Sequence, residues 1–182
     1  MHAKYVFSLE SQDRKRDLPG KIIIAQRETE TPVQVLQKLF GYLLFFRPRL
    51  LMDTNLHDEY IPFVPDLVQL DYQLQPALWV ECGETNPTRL NKLAVKVHEA
   101  EIWIVRHSRE EADALIRLMD KANSRRDRYK FVVLDAEMIE EVSTMTHGRN
   151  SVTWYHGSFE TPLMQFDYNG MWFEAEFEVL NY

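Results

Sequence analysis

The sequence predicts an α/β (α+β) fold in a single domain over residues 1–182, and three observations lead to this prediction. The chain has 182 residues, of which 45% are hydrophobic, and this is enough for one domain with a full core. Strand and helix patterns alternate between residues 77 and 146, which favours parallel strand pairing in that part. The pair Asn169-Gly170 lies between two strand patterns and predicts a C-terminal antiparallel hairpin.

The N-terminal elements follow from residue type and spacing. Residues 4–10 and 21–28 are rich in β-branched and aromatic side chains and predict two strands joined as a hairpin. Thr31, Pro32 and Gln34 have the order of a capping box and predict a helix from there to about residue 45. Its apolar residues lie on a wide face, so we expect a buried helix. Residues 52–60 are polar without periodicity and predict a solvated loop.

The remaining elements alternate in type. Strands are predicted at residues 67–72 and 77–82, separated by a short turn near residue 75, and Thr88 is expected to cap a helix that ends near residue 100. The chain then predicts a strand at 102–106, a helix at 109–123, a strand at 129–134 and a helix at 136–146. Three further strands are predicted at 151–156, 163–168 and 171–179.

Composition excludes several classes of protein and leaves the function open. Cys82 is the sole cysteine, so an internal disulfide and a cysteine-rich zinc site are excluded. The first twenty residues lack the apolar segment of a secretory signal, and the longest apolar run, 39–46, is too short for a membrane span. We therefore expect a cytoplasmic protein without membrane contact. No glycine-rich phosphate loop is present, so we expect no organic cofactor.

The charge balance bears on partners. Acidic side chains number 28 and basic ones 21, giving a formal net charge of −7. Affinity for nucleic acid without sequence preference comes mostly from neutralising phosphates, so this balance argues against a protein that coats nucleic acid. A nucleic-acid partner at a small local site remains compatible with it, and the sequence leaves the oligomeric state open.

Glu81 is the most informative residue. It lies in Leu78-Trp79-Val80-Glu81-Cys82, where the density of large apolar side chains is that of a strand covered on both faces. A buried carboxylate is costly unless it is paired or binds a cation. Two interpretations follow: a structural carboxylate that is satisfied by an arginine or by backbone N–H groups, and a ligand for a metal ion.

Asp66 favours the second interpretation. It follows Pro65 at the start of the preceding strand, where a missing N–H is tolerated. If the two strands pair antiparallel, a register with Asp66 opposite Glu81 or Gly83 leaves both carboxylates on one face of the sheet. Two carboxylates with a nearby backbone carbonyl make a hard oxygen site that suits Mg²⁺ with retained waters.

These residues resemble the YaeQ family, a branch of the PD-(D/E)XK nuclease superfamily with a restriction-endonuclease-like fold. The resemblance rests on the order and spacing of short motifs along nearly the whole chain, because each motif alone is weak. They are Pro65-Asp66, Trp79-Val80-Glu81-Cys82-Gly83, Glu30-Thr31, Lys38-Leu39, Tyr42-Leu43, Arg89, Lys92 and a final hairpin with Trp172. The implied architecture is a mixed central sheet flanked by helices.

The resemblance also implies a function, that of a Mg²⁺-dependent or Mn²⁺-dependent phosphodiesterase acting on nucleic acid. Asp66 and Glu81 would be the metal ligands, together with the backbone carbonyl of Cys82. Glu30 would support metal-bound waters, and Arg89 lies on the helix that follows the Glu81 strand. A metal ion acts as a Lewis acid on the scissile phosphate and lowers the pKa of bound water.

One departure from the superfamily motif matters. The motif has a lysine two residues after the Glu, where this chain has Gly83. The resemblance implies that Lys92, on the following helix, replaces it. A helical wheel places Lys92 opposite the apolar face and Lys96 closer to its border, so Lys96 is our preferred substitute.

Two other functions stay open. The missing lysine and the acidic charge are compatible with a nuclease-like module that has lost its chemistry and binds nucleic acid or a protein partner. In that case the carboxylates would pair with cations of the protein, such as Arg89. An α/β enzyme acting on a small molecule is the third alternative, and no motif supports it.

Overall fold

The computed structural model describes residues 3–182, which form two mixed β-sheets and four helices. Residues 1 and 2, at the start of the predicted domain and of the polar N-terminal segment, lie outside the described residues. The strands are β1 (Lys4–Ser11), β2 (Lys21–Ala25), β3 (Leu51–Met52), β4 (Leu67–Leu70), β5 (Pro76–Glu81), β6 (Glu101–Arg106), β7 (Tyr129–Val133), β8 (Arg149–Ser158), β9 (Leu163–Tyr168), β10 (Met171–Glu176) and β11 (Glu178–Asn181). The helices are α1 (Pro32–Phe45), α2 (Pro87–Lys96), α3 (Arg109–Lys121) and α4 (Ala136–Met145). This confirms the α+β class.

The six-stranded sheet has the order β11-β7-β6-β5-β4-β3. Strands β5, β6 and β7 are parallel, and α2 and α3 are the crossovers between them, as the alternating patterns predicted. Strands β4 and β5 form an antiparallel pair that turns through residues 71–75. Leu67 pairs with Val80, and continuing this register by one residue places Asp66 opposite Glu81. This is one of the two registers that put both carboxylates on the same face.

The five-stranded sheet has the order β10-β9-β8-β1-β2. Both predicted hairpins are present: β1 pairs with β2, and β9 pairs with β10 through Asn169 and Gly170, whose φ angles are 50° and 86°. Strands β1 and β8 join the two hairpins by parallel pairing. The predicted mixed central sheet is the six-stranded one, and strands far apart in sequence pair to build the five-stranded sheet, which the sequence did not predict. The predicted strand 171–179 is divided into two strands, β10 and β11, and β11 pairs with β7 in the other sheet.

Helix α1 lies in the core between the two sheets. All eleven residues from Val35 to Phe45 are buried, and eight of them pack in one apolar cluster with side chains from both sheets and α4. A second apolar cluster covers the opposite face of the six-stranded sheet, where α2 and α3 pack. Among residues 3–182, no helix has the length and apolar character that a membrane crossing needs.

The starts of α1 and α2 fix the neighbourhood of the site. The predicted capping box is present: Thr31 Oγ1 accepts a hydrogen bond from Gln34 N at 3.2 Å, and the Gln34 side chain accepts one from Thr31 N. At α2 the cap is Asn86, whose side chain accepts from Arg89 N at 2.9 Å. Thr88 was predicted in that role; Pro87 occupies the first helical position instead, which places the start two residues earlier.

Candidate functional site

Asp66 is held by the backbone at the end of β5. Its Oδ2 accepts hydrogen bonds from Cys82 N at 2.7 Å and Gly83 N at 3.0 Å. The residue is 4% exposed, so these N–H groups provide much of the stabilisation that a buried carboxylate needs. The other oxygen, Oδ1, has Arg27 Nη1 at 3.4 Å and Lys38 Nζ at 3.6 Å.

Glu81 is the last residue of β5 and is 1% exposed. Its Oε1 accepts hydrogen bonds from Arg89 Nε at 3.0 Å and from the indole Nε1 of Trp79 at 3.2 Å. Burial raises the pKa of Glu81, and the charge of Asp66 raises it further, while Arg89 acts in the opposite direction. Both donors reach Oε1, which leaves Oε2 for a ligand.

Lys38 lies on α1, and its ammonium group contacts three carboxylates. Its side chain is fully buried, and Nζ lies 2.9 Å from Asp53 Oδ1, 3.1 Å from Glu30 Oε2 and 3.6 Å from Asp66 Oδ1. Burial alone would lower the pKa of Lys38, but the three carboxylates outweigh it and raise the pKa. The contact with Glu30 Oε2 is an ion pair without hydrogen-bond geometry, because this oxygen accepts no hydrogen bond from the described residues.

Arg27 lies at the entrance of this cluster and is partly exposed. It pairs with Asp53 through Nη2, contacts Asp66 through Nη1, and its backbone N donates to Glu30 Oε1 at 2.9 Å. Burial raises the pKa of Asp53, and Lys38 and Arg27 counteract the effect. Four carboxylates, those of Glu30, Asp53, Asp66 and Glu81, thus face three cations, and the cluster keeps one net negative charge.

A cavity of about 310 Å³ opens beside Asp66 and Glu81. The two carboxylates therefore share one space with Glu30 and Arg89. Arg89 uses Nε for Glu81, and its guanidinium lies over the ring of Phe63 at 4.7 Å. The other lining residues are Arg27, Thr29, Val64, Gly83, Glu84 and Asn86.

The lysines predicted on α2 lie elsewhere. Lys92 is exposed, and the Lys96 ammonium lies 3.8 Å from the ring centre of Tyr60. Neither residue lines the cavity. A Cβ added at Gly83 would lie 3.7 Å from Asp66 Oδ2, so the space of the missing motif lysine adjoins the carboxylate.

The Cys82 backbone carbonyl, the third predicted metal ligand, is used within the protein. It accepts a hydrogen bond from Gln37 Nε2 at 2.7 Å, and the same nitrogen donates to Val105 O at 2.9 Å. The Cys82 thiol is fully buried, and burial raises its pKa well above the usual range, which argues against a nucleophilic thiolate. A carbonyl oxygen can accept two bonds, so one lone pair of Cys82 O stays available.

Sequence reasoning missed three residues of the cluster: Arg27, Lys38 and Asp53. Lys38 had a usable signal, since it is the sole lysine in a helix whose other side chains are apolar nearly all round. Such a lysine must be buried, and a buried ammonium needs carboxylates. Asp53 had no such signal, because it lies in the polar stretch that was predicted to be a solvated loop.

The oxygen atoms present fit a hydrated Mg²⁺ or Mn²⁺ ion. Mg²⁺ is usually held by one or two carboxylates and keeps several waters. Glu81 Oε2 and the buried Glu30 Oε2 accept no hydrogen bond within residues 3–182, and Asp66 Oδ1 has only the side chains of Arg27 and Lys38 beside it. No three Asp, Glu, His or Cys side chains among the described residues are placed to enclose a metal by themselves, so water would complete the coordination.

Comparisons with known proteins identify the family. A family model described as YaeQ protein matches residues 2–155, which is most of the sequence. The chain belongs to the YaeQ family. This confirms the resemblance drawn from the motifs around Asp66 and Glu81, while membership of the PD-(D/E)XK superfamily stays a prediction.

Two solved structures are similar over the whole chain. The YaeQ protein from Xanthomonas axonopodis pv. citri has a TM-score of 0.74 at 17% identity, covering 100% of this chain and 99% of that chain. The YaeQ protein from Pseudomonas syringae has a TM-score of 0.75 at 15% identity, covering 100% and 97%. No curated protein matches the sequence. At these identities the likeness concerns the fold of the YaeQ family.

Proposed function

We propose that this YaeQ-family chain is a Mg²⁺-dependent or Mn²⁺-dependent phosphodiesterase of PD-(D/E)XK type that acts on nucleic acid. The observation that carries the proposal is the pair of buried carboxylates, Asp66 directly before β4 and Glu81 at the end of β5, which line one cavity. In this proposal both are metal ligands. When bound, the ion would polarise a phosphate oxygen and lower the pKa of a water that attacks phosphorus.

In this proposal Arg89 is the cation beside the phosphate, a role for which Lys92 or Lys96 was predicted. Its Nε donates to Glu81, and the two terminal nitrogens of the guanidinium remain for phosphate oxygens in the cavity. A cation fixed beside the phosphate stabilises the negative charge that develops in the transition state. Arg27, at the other side of Asp66, provides a second contact of the same kind.

Lys38 and Glu30 act as positioning residues. Lys38 is fully buried behind the cavity, and its ammonium keeps Glu30, Asp53 and Asp66 in one place by charge. Glu30 lines the cavity and has an oxygen without a hydrogen-bond donor, so it is suited to accept a hydrogen bond from water near the metal. Rigid placement of ligands by their neighbours is what a reactive geometry requires.

The direct test is cleavage. Purified protein with Mg²⁺ or Mn²⁺ is incubated with single-stranded and double-stranded DNA and RNA, and Asp66→Asn and Glu81→Gln are expected to abolish cleavage. Glu59→Gln, which changes an exposed carboxylate on a nearby loop, is the matched control and should retain activity. Circular dichroism and thermal unfolding establish that the variants fold. Cleavage by folded Asp66→Asn and Glu81→Gln at the rate of the original protein would refute the assignment.

Two observations favour the alternative of a binding module without catalysis. Glu81 is already paired with Arg89 at 3.0 Å, and the motif lysine is replaced by Gly83. In such a module the ion pair neutralises Glu81 permanently, and the site has no affinity for metal. Isothermal titration with Mn²⁺ separates the two: binding that is lost in Asp66→Asn supports the enzyme, and no heat of binding up to millimolar Mn²⁺ supports the module.

A further inference from the structure

Arg106 is a buried cation that the proposed chemistry does not use. It is the last residue of β6 and is 7% exposed. Among residues 3–182, its guanidinium makes no hydrogen bond to a protein acceptor and no ion pair within 4.0 Å. Lys38, the other buried cation among the described residues, has three carboxylates around it. Arg106 is thus an exception to the rule that buried charges are paired.

A guanidinium in this position is costly without a partner. It carries five N–H donors and stays protonated in proteins, so burial removes water from a full positive charge. Burial lowers the pKa of Arg106, while the charges of Glu81, Asp66 and Glu111 favour its cationic form. These groups act at a distance and satisfy none of its N–H donors. A residue that binds an external anion would have this combination of burial and free donors.

Arg106 faces a cavity of about 200 Å³. The hydroxyl of Thr85 lines the same cavity, is buried, and has no hydrogen-bond partner among the described residues. A guanidinium and a hydroxyl that both lack partners offer donors to the same ligand. The charges that oppose an anion are Glu84 and Glu111, and both are exposed at the rim.

The position of this cavity indicates which anion it would take. Gly83 and Glu84 line it and also line the cavity of Asp66 and Glu81, so the two cavities adjoin at this short segment. A polynucleotide strand carries one phosphate per nucleotide, and a strand with one phosphate at the carboxylates presents the next ones to neighbouring surface. Arginine binds phosphate with two parallel N–H···O bonds, which suits a buried, preorganised guanidinium.

We propose that Arg106, assisted by the Thr85 hydroxyl, binds a backbone phosphate of a polynucleotide next to the phosphate at the carboxylate cavity. The inference rests on the proposed function for its substrate class, but the contact itself needs no metal. Arg106 therefore acts as a binding residue that sets the position of the strand. Contacts with phosphate fix register and orientation without reading the base sequence.

The test measures binding separately from cleavage. A fluorescent single-stranded oligonucleotide is titrated with the protein in EDTA at several salt concentrations, and inorganic phosphate is titrated in a parallel arm. Arg106→Met is expected to weaken oligonucleotide binding about tenfold, the size of one charge-assisted contact, and to reduce the salt slope by about one. Arg117→Met, an exposed arginine on α3, is the matched control for net charge and should change the affinity less than about twofold.

Arg106→Lys keeps the charge and tests the geometry. It is expected to fold even where Arg106→Met does not, and to lose several-fold in affinity because an ammonium does not offer the paired donors of the guanidinium. Equal oligonucleotide affinity in folded Arg106→Lys and the original protein would overturn the proposal. Competition by inorganic phosphate as strong as that by the oligonucleotide would also overturn it, since the site would then bind a free anion.

The two proposals fail in different ways. If Arg106 variants weaken oligonucleotide binding in EDTA while no cleavage occurs with any metal, the phosphate contact is supported and the catalytic assignment is refuted. If Asp66→Asn abolishes cleavage while Arg106 variants bind the oligonucleotide normally, the catalytic assignment is supported and the role of Arg106 is refuted.

Discussion

Replacing Lys38 with methionine removes the cation at the centre of the carboxylate cluster and should destabilise the fold strongly. The ammonium lies 3.1 Å from Glu30 and 2.9 Å from Asp53, and its own side chain is fully buried. Methionine has a similar length and no charge, so the change leaves the volume of the core nearly intact. The expected loss of free energy of unfolding therefore reports on carboxylates left without their cation, and not on a cavity.

The size of the loss follows from what remains around those carboxylates. Removing one partner of a buried ion pair costs about 3–5 kcal/mol. Arg27 stays in contact with Asp53 and Asp66, and Asp66 keeps its two backbone N–H bonds, so we expect the lower end, about 3 kcal/mol. For a chain of this length such a loss lowers the Tm by about 6–12 °C.

The assay is urea unfolding followed by circular dichroism, with differential scanning calorimetry for Tm. Lys92→Met is the matched control, because it removes an exposed lysine and should change the free energy of unfolding by less than about 0.5 kcal/mol. The double variant Lys38→Met with Asp53→Asn should recover about 1 kcal/mol, since one stranded charge is gone. A free energy of unfolding for Lys38→Met within the error of Lys92→Met would refute the picture of a charged, buried cluster.

Three further predictions concern other parts of the molecule. Gly157→Ala should cost about 1–3 kcal/mol, because a Cβ there would lie 2.3 Å from Trp154 Cζ2; Gly148→Ala meets no atom within 4 Å and is the control in the same unfolding assay. Gln37→Leu should cost about 2–4 kcal/mol, because two buried carbonyls lose their donor, and an unchanged midpoint in urea would contradict those bonds. Burial raises the pKa of Tyr168 to about 12. The protonated Tyr168 hydroxyl therefore stabilises the fold below pH 10, and this contribution is lost as the pH rises toward 12. Between pH 9 and pH 11, the free energy of unfolding of Tyr168→Phe should fall by about 1.4 kcal/mol less than that of the original protein.

Local signals predicted much of the fold. The capping box at Thr31 and the Asn169-Gly170 turn depend on residues adjacent in sequence, and both are present. The pairing of Asp66 with Glu81 was also predictable, because a short turn between two strands limits the possible registers to a few. What these signals share is that the partners lie within about twenty residues of each other.

Long-range pairings were not predictable in the same way. Strand β1 pairs with β8, whose residues come more than a hundred positions later, and no local pattern in either strand indicates that partner. The second sheet therefore went unforeseen. The charged groups that the sequence missed follow the same rule: Lys38, Arg27 and Asp53 lie on a helix and two loops that meet when α1 packs between the sheets.

Local sequence predicts an α+β chain with two costly carboxylates near paired strand ends, because periodicity indicates burial of Glu81 and a short turn limits Asp66 to a few registers. The sequence did not predict which cations form ion pairs with those carboxylates, and the folded structure shows them. The apolar surroundings of Lys38 in α1 indicate that it is buried, whereas packing of α1 between the two sheets determines which carboxylates lie beside it. The physical reason is that charge pairing depends on distance in space, which the order of residues does not encode.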